Sequence, residues 1–168
     1  TVRFEALKQN WQEGQPKAQV FYDSNVAKWI ESAAYVLIDR KDAELEKLCD
    51  QYIDLIEARQ EPNGYFNSYF SYIEPDKKWR YRTEHELYCA GHLMEAAIAY
   101  KKATPKDNSE QVKKLADHIY QVFVIDKSAT FVTPGHEEIE LALYKLYKET
   151  NQKISRACQV FYRPKGAK

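Results

Sequence analysis

Val26, Trp29, Ile30, Ala33, Ala34, Leu37 and Ile38 recur three and four positions apart. This spacing predicts an α-helix running to about Asp39, with Asp23 or Ser24 as its cap. A second apolar stripe, Leu45, Leu48, Cys49, Tyr52, Ile53 and Ile56, predicts a partner helix over 42–60, which the turn-forming run Pro62-Asn63-Gly64 closes. A third helix is expected from near Thr83, through Leu87, Ala90, Gly91, Met94, Ala97 and Ile98, to a point before Pro105; its small residues permit close packing. Asp107, Asn108 or Ser109 can cap a fourth, buried through Val112, Leu115, Ala116, Ile119, Val122 and Phe123. After a loop over 124–133, Pro134 suits the first turn of a fifth helix carrying Ile139, Leu141, Ala142, Leu143, Leu146 and Tyr147. A weaker sixth helix is expected over 153–162.

Two stretches break the pattern. Residues 1–22 lack sustained periodicity and read as a leading segment with one short helix at most. Residues 61–82 combine Gly64 and Pro75 with Tyr65, Phe66, Tyr69, Phe70, Tyr72, Trp79 and Tyr81. That segment is too punctuated for one helix and too aromatic for a solvated linker, so a long ordered loop is expected. Three helix hairpins in succession, with no convincing alternating strand, predict an all-α fold. If the hairpins stack around an axis, the first, third and fifth helices are the inner ones, beginning at Asp23, His85 and His136. Their positive N-termini then share one end, a favourable place for hydroxyl-rich or anionic ligands.

Composition narrows the function. With 168 residues, 44% hydrophobic and 30% charged, the chain can bury roughly 70% of its unfolded surface as one domain. Its 25 basic and 25 acidic residues cancel, removing the positive field that drives most nucleic-acid and basic membrane association. No apolar run approaches the roughly 20 residues that span a bilayer. Thr1-Val2-Arg3-Phe4 does not resemble a signal peptide, although a removed targeting segment is compatible with a chain beginning at Thr1. Cys49, Cys89 and Cys158 are odd in number and widely spaced, which predicts a reducing compartment, the cytoplasm, rather than a disulfide framework or zinc module.

His85-Glu86 and His136-Glu137 each open a helical run, about one helix pair apart. Polar, titratable side chains at those starts can converge on a shared pocket or serve only as helix-start hydrogen-bonding groups. The zinc pattern H-E-x-x-H is not met after His85, because Cys89 stands where the second histidine belongs. His92 lies about 10.5 Å further along a helix axis, too far to share one metal directly, and reads as a core or interface histidine. The aromatic loop can stack on sugar faces or simply pack. Asn67 and Asp23 can add sugar hydrogen bonds or act as turn and cap. Glu137, Glu138 and Glu140 suit a helix N-terminus through the dipole alone. A Gly-rich phosphate loop, a G-x-S-x-G turn and an evident Ser-His-Asp arrangement are all missing from the sequence.

The strings YDSNVAKWIESAAY (22–35), PNGYFNSYF (62–70), HELYCAGHLMEAAIAY (85–100), LADHIYQVF (115–123) and PGHEEIELALYKLY (134–147) closely resemble glycoside hydrolase family 127, in family order. The resemblance implies a β-L-arabinofuranosidase type of enzyme whose catalytic domain is an (α/α)6 toroid, here about its first half. It implies His85 and His136 in the sugar pocket, Asp23 near it, and Tyr65, Asn67 and Tyr69 along its wall. It further implies a retaining mechanism with a cysteine nucleophile, a glutamate acid/base and a bound zinc, all beyond the matching region. No catalytic or metal-binding residue is therefore assigned within this chain. The tail over 151–168 departs from the family pattern, as does the loop over 124–133. The implied partners are an arabinofuranoside or related carbohydrate, and either the remaining catalytic-domain polypeptide or a second copy. A noncatalytic helical carbohydrate-binding or scaffold protein is the alternative.

Overall fold

A computed structural model describes residues 11–15 and 17–150. It contains five α-helices and, among those residues, no strand: α1 (Tyr22–Asp39), α2 (Ala43–Arg59), α3 (Glu86–Ala103), α4 (Ser109–Tyr120) and α5 (Glu138–Thr150). A 3-10 turn, Pro75–Lys77, interrupts the aromatic loop, and a π-helical turn, Gln121–Ile125, extends α4. The sixth helix expected over 153–162, the divergent tail and most of the leading segment lie outside the described residues.

The order of packing follows from which faces are apolar. Helix α3 buries 13 of its 18 residues, so it needs neighbours on every side and cannot lie on the surface. It packs between α1 and α5, while α2 covers α1 and α4 covers α3. Helices α1, α3 and α5 thus form an inner row with α2 and α4 outside it, the arrangement expected of stacked hairpins and of an α/α-toroid fragment. Gly91 sets the distance between α3 and α5, since a Cβ there would stand 2.9 Å from Glu138 Cγ. The outer helices bury less. In α2 only Cys49 and Ile53 are fully buried, and Leu48, expected in the apolar stripe, is 39% exposed.

Several boundaries differ from expectation. Asp42 does cap α2, accepting from Leu45 N at 3.0 Å. Neither Asp23 nor Ser24 caps α1, however, for both lie inside its first turn and are buried. Asp107, rather than Asn108, braces the start of α4 by accepting from Ser109 N at 2.9 Å. Helix α3 begins at Glu86, not near Thr83, because His85 adopts a left-handed backbone with φ 63°. Pro134 lies ahead of α5 rather than in its first turn. Gly135 is held against the Arg82 carbonyl there, where a Cβ would meet the oxygen at 2.6 Å, so the segment follows loop 61–82 instead of entering the helix.

That loop is ordered, as the aromatic content predicts. Tyr65, Phe66, Phe70 and Trp79 are buried in the common core. Gly64, at φ 89°, lets the loop lie on α4, for a Cβ would reach the Lys114 carbonyl. At the two ends of the inner row Val36, Ile38, Leu141 and Tyr144 remain exposed.

Candidate functional site

The two histidines that open α3 and precede α5 meet. Their ring centres are 5.1 Å apart with the planes inclined at 34°. Two backbone features accompany this: His85 adopts a left-handed backbone, and the close approach of Gly135 to the Arg82 carbonyl brings the neighbouring His136 alongside. Tyr88, one helical turn after His85, lies 4.8 Å from His136 and 5.8 Å from His85. His92, a turn further, stands edge-on to Tyr88 at 4.5 Å. Phe21 closes the outer side of His85 at 5.8 Å, and Lys28 of α1 reaches the Tyr88 hydroxyl at 2.5 Å.

Burial sets the protonation of this group. Desolvation, followed by the neighbouring His136, holds the His85 imidazole below its ordinary pKa. His92 is pushed down to about 4 by burial, then by Lys28 and His136. His92 Nδ1 lies 3.4 Å from Glu138 Oε1, but an imidazole with that pKa is neutral near pH 7, so the contact is not an ion pair there. Burial also raises the Glu138 carboxyl. Neutral imidazoles each offer one donor and one acceptor, the complement of a hydroxyl group. His85 Nδ1 and both ring nitrogens of His92 are buried without a hydrogen-bond partner among the described residues.

The remaining predicted site residues hold the aromatic loop in place. Tyr65 donates its hydroxyl to Glu86 Oε1 at 2.7 Å, and Glu86 Oε2 accepts from Trp79 N at 2.7 Å. Burial pushes the Glu86 carboxyl up to about 7, despite those two hydrogen bonds. Tyr65 also packs edge-on against Trp79 and His118, and the Trp79 indole donates to His118 Nε2 at 3.2 Å. Asp23 accepts from Ser68 N at 2.7 Å, with burial raising its pKa. Asn67 Oδ1 accepts from Tyr69 N and Phe70 N, at 3.0 and 2.9 Å, and is 1% exposed. Tyr69 is half-buried, packs 5.0 Å from Phe70 and bonds Glu74. Among the six residues singled out from sequence, the ring contacts therefore join His85 and His136, while Asp23, Tyr65, Asn67 and Tyr69 brace the loop behind them. Sequence reasoning missed Lys28 and Tyr88 and left His92 as a core or interface residue. The spacing of 85, 88 and 92 already put those three side chains on one helical face.

An apolar cleft between α1, α2, α3 and α4 is lined by Ile30, Ile53, Phe66, Leu93, Val112 and Leu115. Its surface is mostly apolar, with Glu57, Gln60, Asn108 and Gln111 also lining it, and the histidine cluster is the stronger candidate for a polar ligand.

Residues 2–160 match the family described as β-L-arabinofuranosidase, GH127 catalytic domain. The chain belongs to glycoside hydrolase family 127. A non-reducing end β-L-arabinofuranosidase of Bifidobacterium longum subsp. longum is 39% identical over 140 residues, covering 80% of this chain and 21% of the relative. The crystal structure of Ara127N-Se, a GH127 β-L-arabinofuranosidase from Geobacillus stearothermophilus T6, superposes with a TM-score of 0.84 at 44% identity. The match takes in 95% of this chain and 26% of that one. A second GH127 β-arabinofuranosidase structure gives 0.77 at 27% identity, over 95% and 27%. This family 127 chain thus spans about a fifth to a quarter of the relatives it matches.

The family resemblance implies a zinc ion, and the residues described here do not fit one. Among them no group of three or more His, Cys, Asp or Glu side chains could hold a metal. Cys49 and Cys89 are buried free thiols. Burial raises the Cys49 thiol to about 11 and the Cys89 thiol well above its ordinary range, the opposite of what a thiolate ligand or nucleophile requires. Among the described residues no helix is long and apolar enough to cross a membrane.

Proposed function

We propose that this chain builds one side of the sugar pocket of a retaining β-L-arabinofuranosidase-type glycoside hydrolase. The cysteine nucleophile, the glutamate acid/base and the zinc belong to residues outside it. In that mechanism a thiolate attacks the anomeric carbon while a carboxylic acid protonates the leaving oxygen, and water then releases the sugar. The contribution of this chain is to bind and orient. The observation that carries the reading is the convergence of His85 and His136 at 5.1 Å, ahead of the N-termini of α3 and α5, with Tyr88 beside both. The activities named for the family and its relatives supply the substrate class, a β-L-arabinofuranoside. The free thiols of Cys49 and Cys89 accord with a reducing compartment, the cytoplasm. The exposed apolar side chains of α1 and α5 favour further catalytic-domain polypeptide, or a second copy, against the ends of the row.

The direct test is titration of the chain with L-arabinose, followed by the imidazole NMR signals. Concerted shifts of His85 and His136 are expected, and a titration that leaves both unmoved would refute the pocket. The second reading is a noncatalytic carbohydrate-binding or scaffold protein. It predicts binding without turnover even when the neighbouring polypeptide is supplied.

A further inference from the structure

Lys28 and Tyr88 form a contact between α1 and α3 that reaches the histidine cluster. The Lys28 ammonium lies 2.5 Å from the Tyr88 oxygen and 4.6 Å from the centre of the same ring. An ammonium group carries only donors, so in this bond the phenol oxygen accepts. The phenol's own hydrogen is left to donate elsewhere, and a cation bonded at the oxygen polarises it. The ring is fixed from the other sides by His85, His92 and His136. The unpartnered nitrogens of His85 and His92 belong to the same group of rings, so donors and acceptors collect around one aromatic face.

Charge selects the ligand class. Lys28 belongs to the cluster, Glu138 lies 3.4 Å from His92, and Glu95, Glu31, Lys145 and Lys28 all act electrostatically on Glu138. Lysines faced by carboxylates suit a neutral polyhydroxyl compound better than an anion.

We infer that Tyr88 is a further saccharide-contacting residue, donating its phenol hydrogen to an oxygen of the sugar, and that Lys28 is the positioning residue that holds the phenol for this task. The inference rests on the reading of the histidine pocket as a sugar site. Removing the hydroxyl deletes one donor to the ligand. Removing the ammonium leaves the donor in place but frees the ring to rotate and removes its polarisation.

The test is the same L-arabinose titration on the chain and on three variants, Tyr88→Phe, Lys28→Met and Lys28→Arg, each with its thermal unfolding midpoint recorded. Tyr88→Phe should weaken binding about tenfold, the worth of one hydrogen bond to a ligand, without lowering the midpoint comparably. Lys28→Met should weaken it severalfold, and Lys28→Arg, which restores a cationic donor, should recover most of the loss. Tyr88→Phe binding within twofold of the parent, while the His85 and His136 signals still respond, overturns the inference and leaves the sugar pocket standing. Failure of those signals to respond in the parent chain overturns both. If Tyr88→Phe does not fold, the lysine pair decides: parental affinity in Lys28→Met sinks the proposal, and a loss rescued by arginine sustains it.

Discussion

Replacing Glu86 by glutamine is expected to change stability by an amount that depends on pH, in a direction set by the burial of one carboxyl group. Glu86 is 4% exposed and titrates at about 7 in the fold against 4.5 as an ordinary carboxyl. A folded-state pKa above the unfolded one means that the stabilisation is complete below pH 4.5 and is lost as pH rises through about 7. At roughly 1.4 kcal/mol per pH unit, the loss across that window is about 3 kcal/mol. Glutamine has no proton to lose and escapes this change. Below pH 5 the two side chains are close equivalents, for the protonated carboxyl and the amide each keep one accepting oxygen for the Trp79 N–H and present a donor to the Tyr65 hydroxyl, which can also accept. Parent and variant should therefore be of similar stability there, and by pH 8.5 the glutamine variant should be the more stable by up to about 3 kcal/mol. Urea unfolding of both proteins across this range measures it, and subtracting one curve from the other cancels the titrations they share. A difference that stays constant, or shifts in favour of the parent as pH rises, would refute this, since either result means the carboxylate is not disfavoured in its site.

His92 should titrate near 4 by NMR; because its folded pKa is depressed, the associated stability is present above 6.5 and lost as pH falls through about 4. A midpoint above 6 would contradict the burial argument. Gly135→Ala must move either the Arg82 carbonyl or the loop that carries His136; it should cost about 1–3 kcal/mol of stability and separate the two imidazoles, seen as a loss of arabinose response. The isolated 168-residue chain should not hydrolyse an aryl β-L-arabinofuranoside, and turnover abolished by a substitution within it would disprove the assignment of the catalytic groups elsewhere. In a complete enzyme carrying these residues, His85→Ala or His136→Ala should lower kcat/KM by an amount equivalent to about 1–3 kcal/mol, with less effect on unfolding.

The elements legible in the sequence are those whose signal is local. The stripes of Val26 to Ile38 and Val112 to Phe123 mark helices because apolar spacing survives any tertiary arrangement. The small residues of α3 already mark a helix that packs closely on its neighbours. What the sequence hid depends on partners far along the chain. Asp23 reads as a cap, yet its carboxylate is taken by Ser68 N, 45 residues away. Pro134 reads as a first helical turn, yet Gly135 lies against Arg82 and delays α5. Nothing local foretells that the Tyr65 hydroxyl would bond Glu86 or that Asn67 Oδ1 would accept from the loop backbone. The pairing of His85 with His136 was legible because both precede equivalent helices. Lys28 was not, since nothing in the spacing of α1 marks which of its lysines would reach Tyr88.

The inner row also has a consequence for how the chain acquires its structure. Helix α1 packs on α3 and α3 on α5, so each principal interface joins elements about one hairpin apart, and no large interface must wait for distant sequence. Contacts of that range close early and at small entropic cost. The first hairpin has little interface of its own, so α1 gains its main partner only when α3 is made, and each later hairpin then finds a flank to condense on. On this view the exposed Leu141 and Tyr144 are the growing end of a structure assembled in the order in which it is translated. A lesion early in the chain, such as one at Gly64 or Gly91, would then be felt by every hairpin made after it.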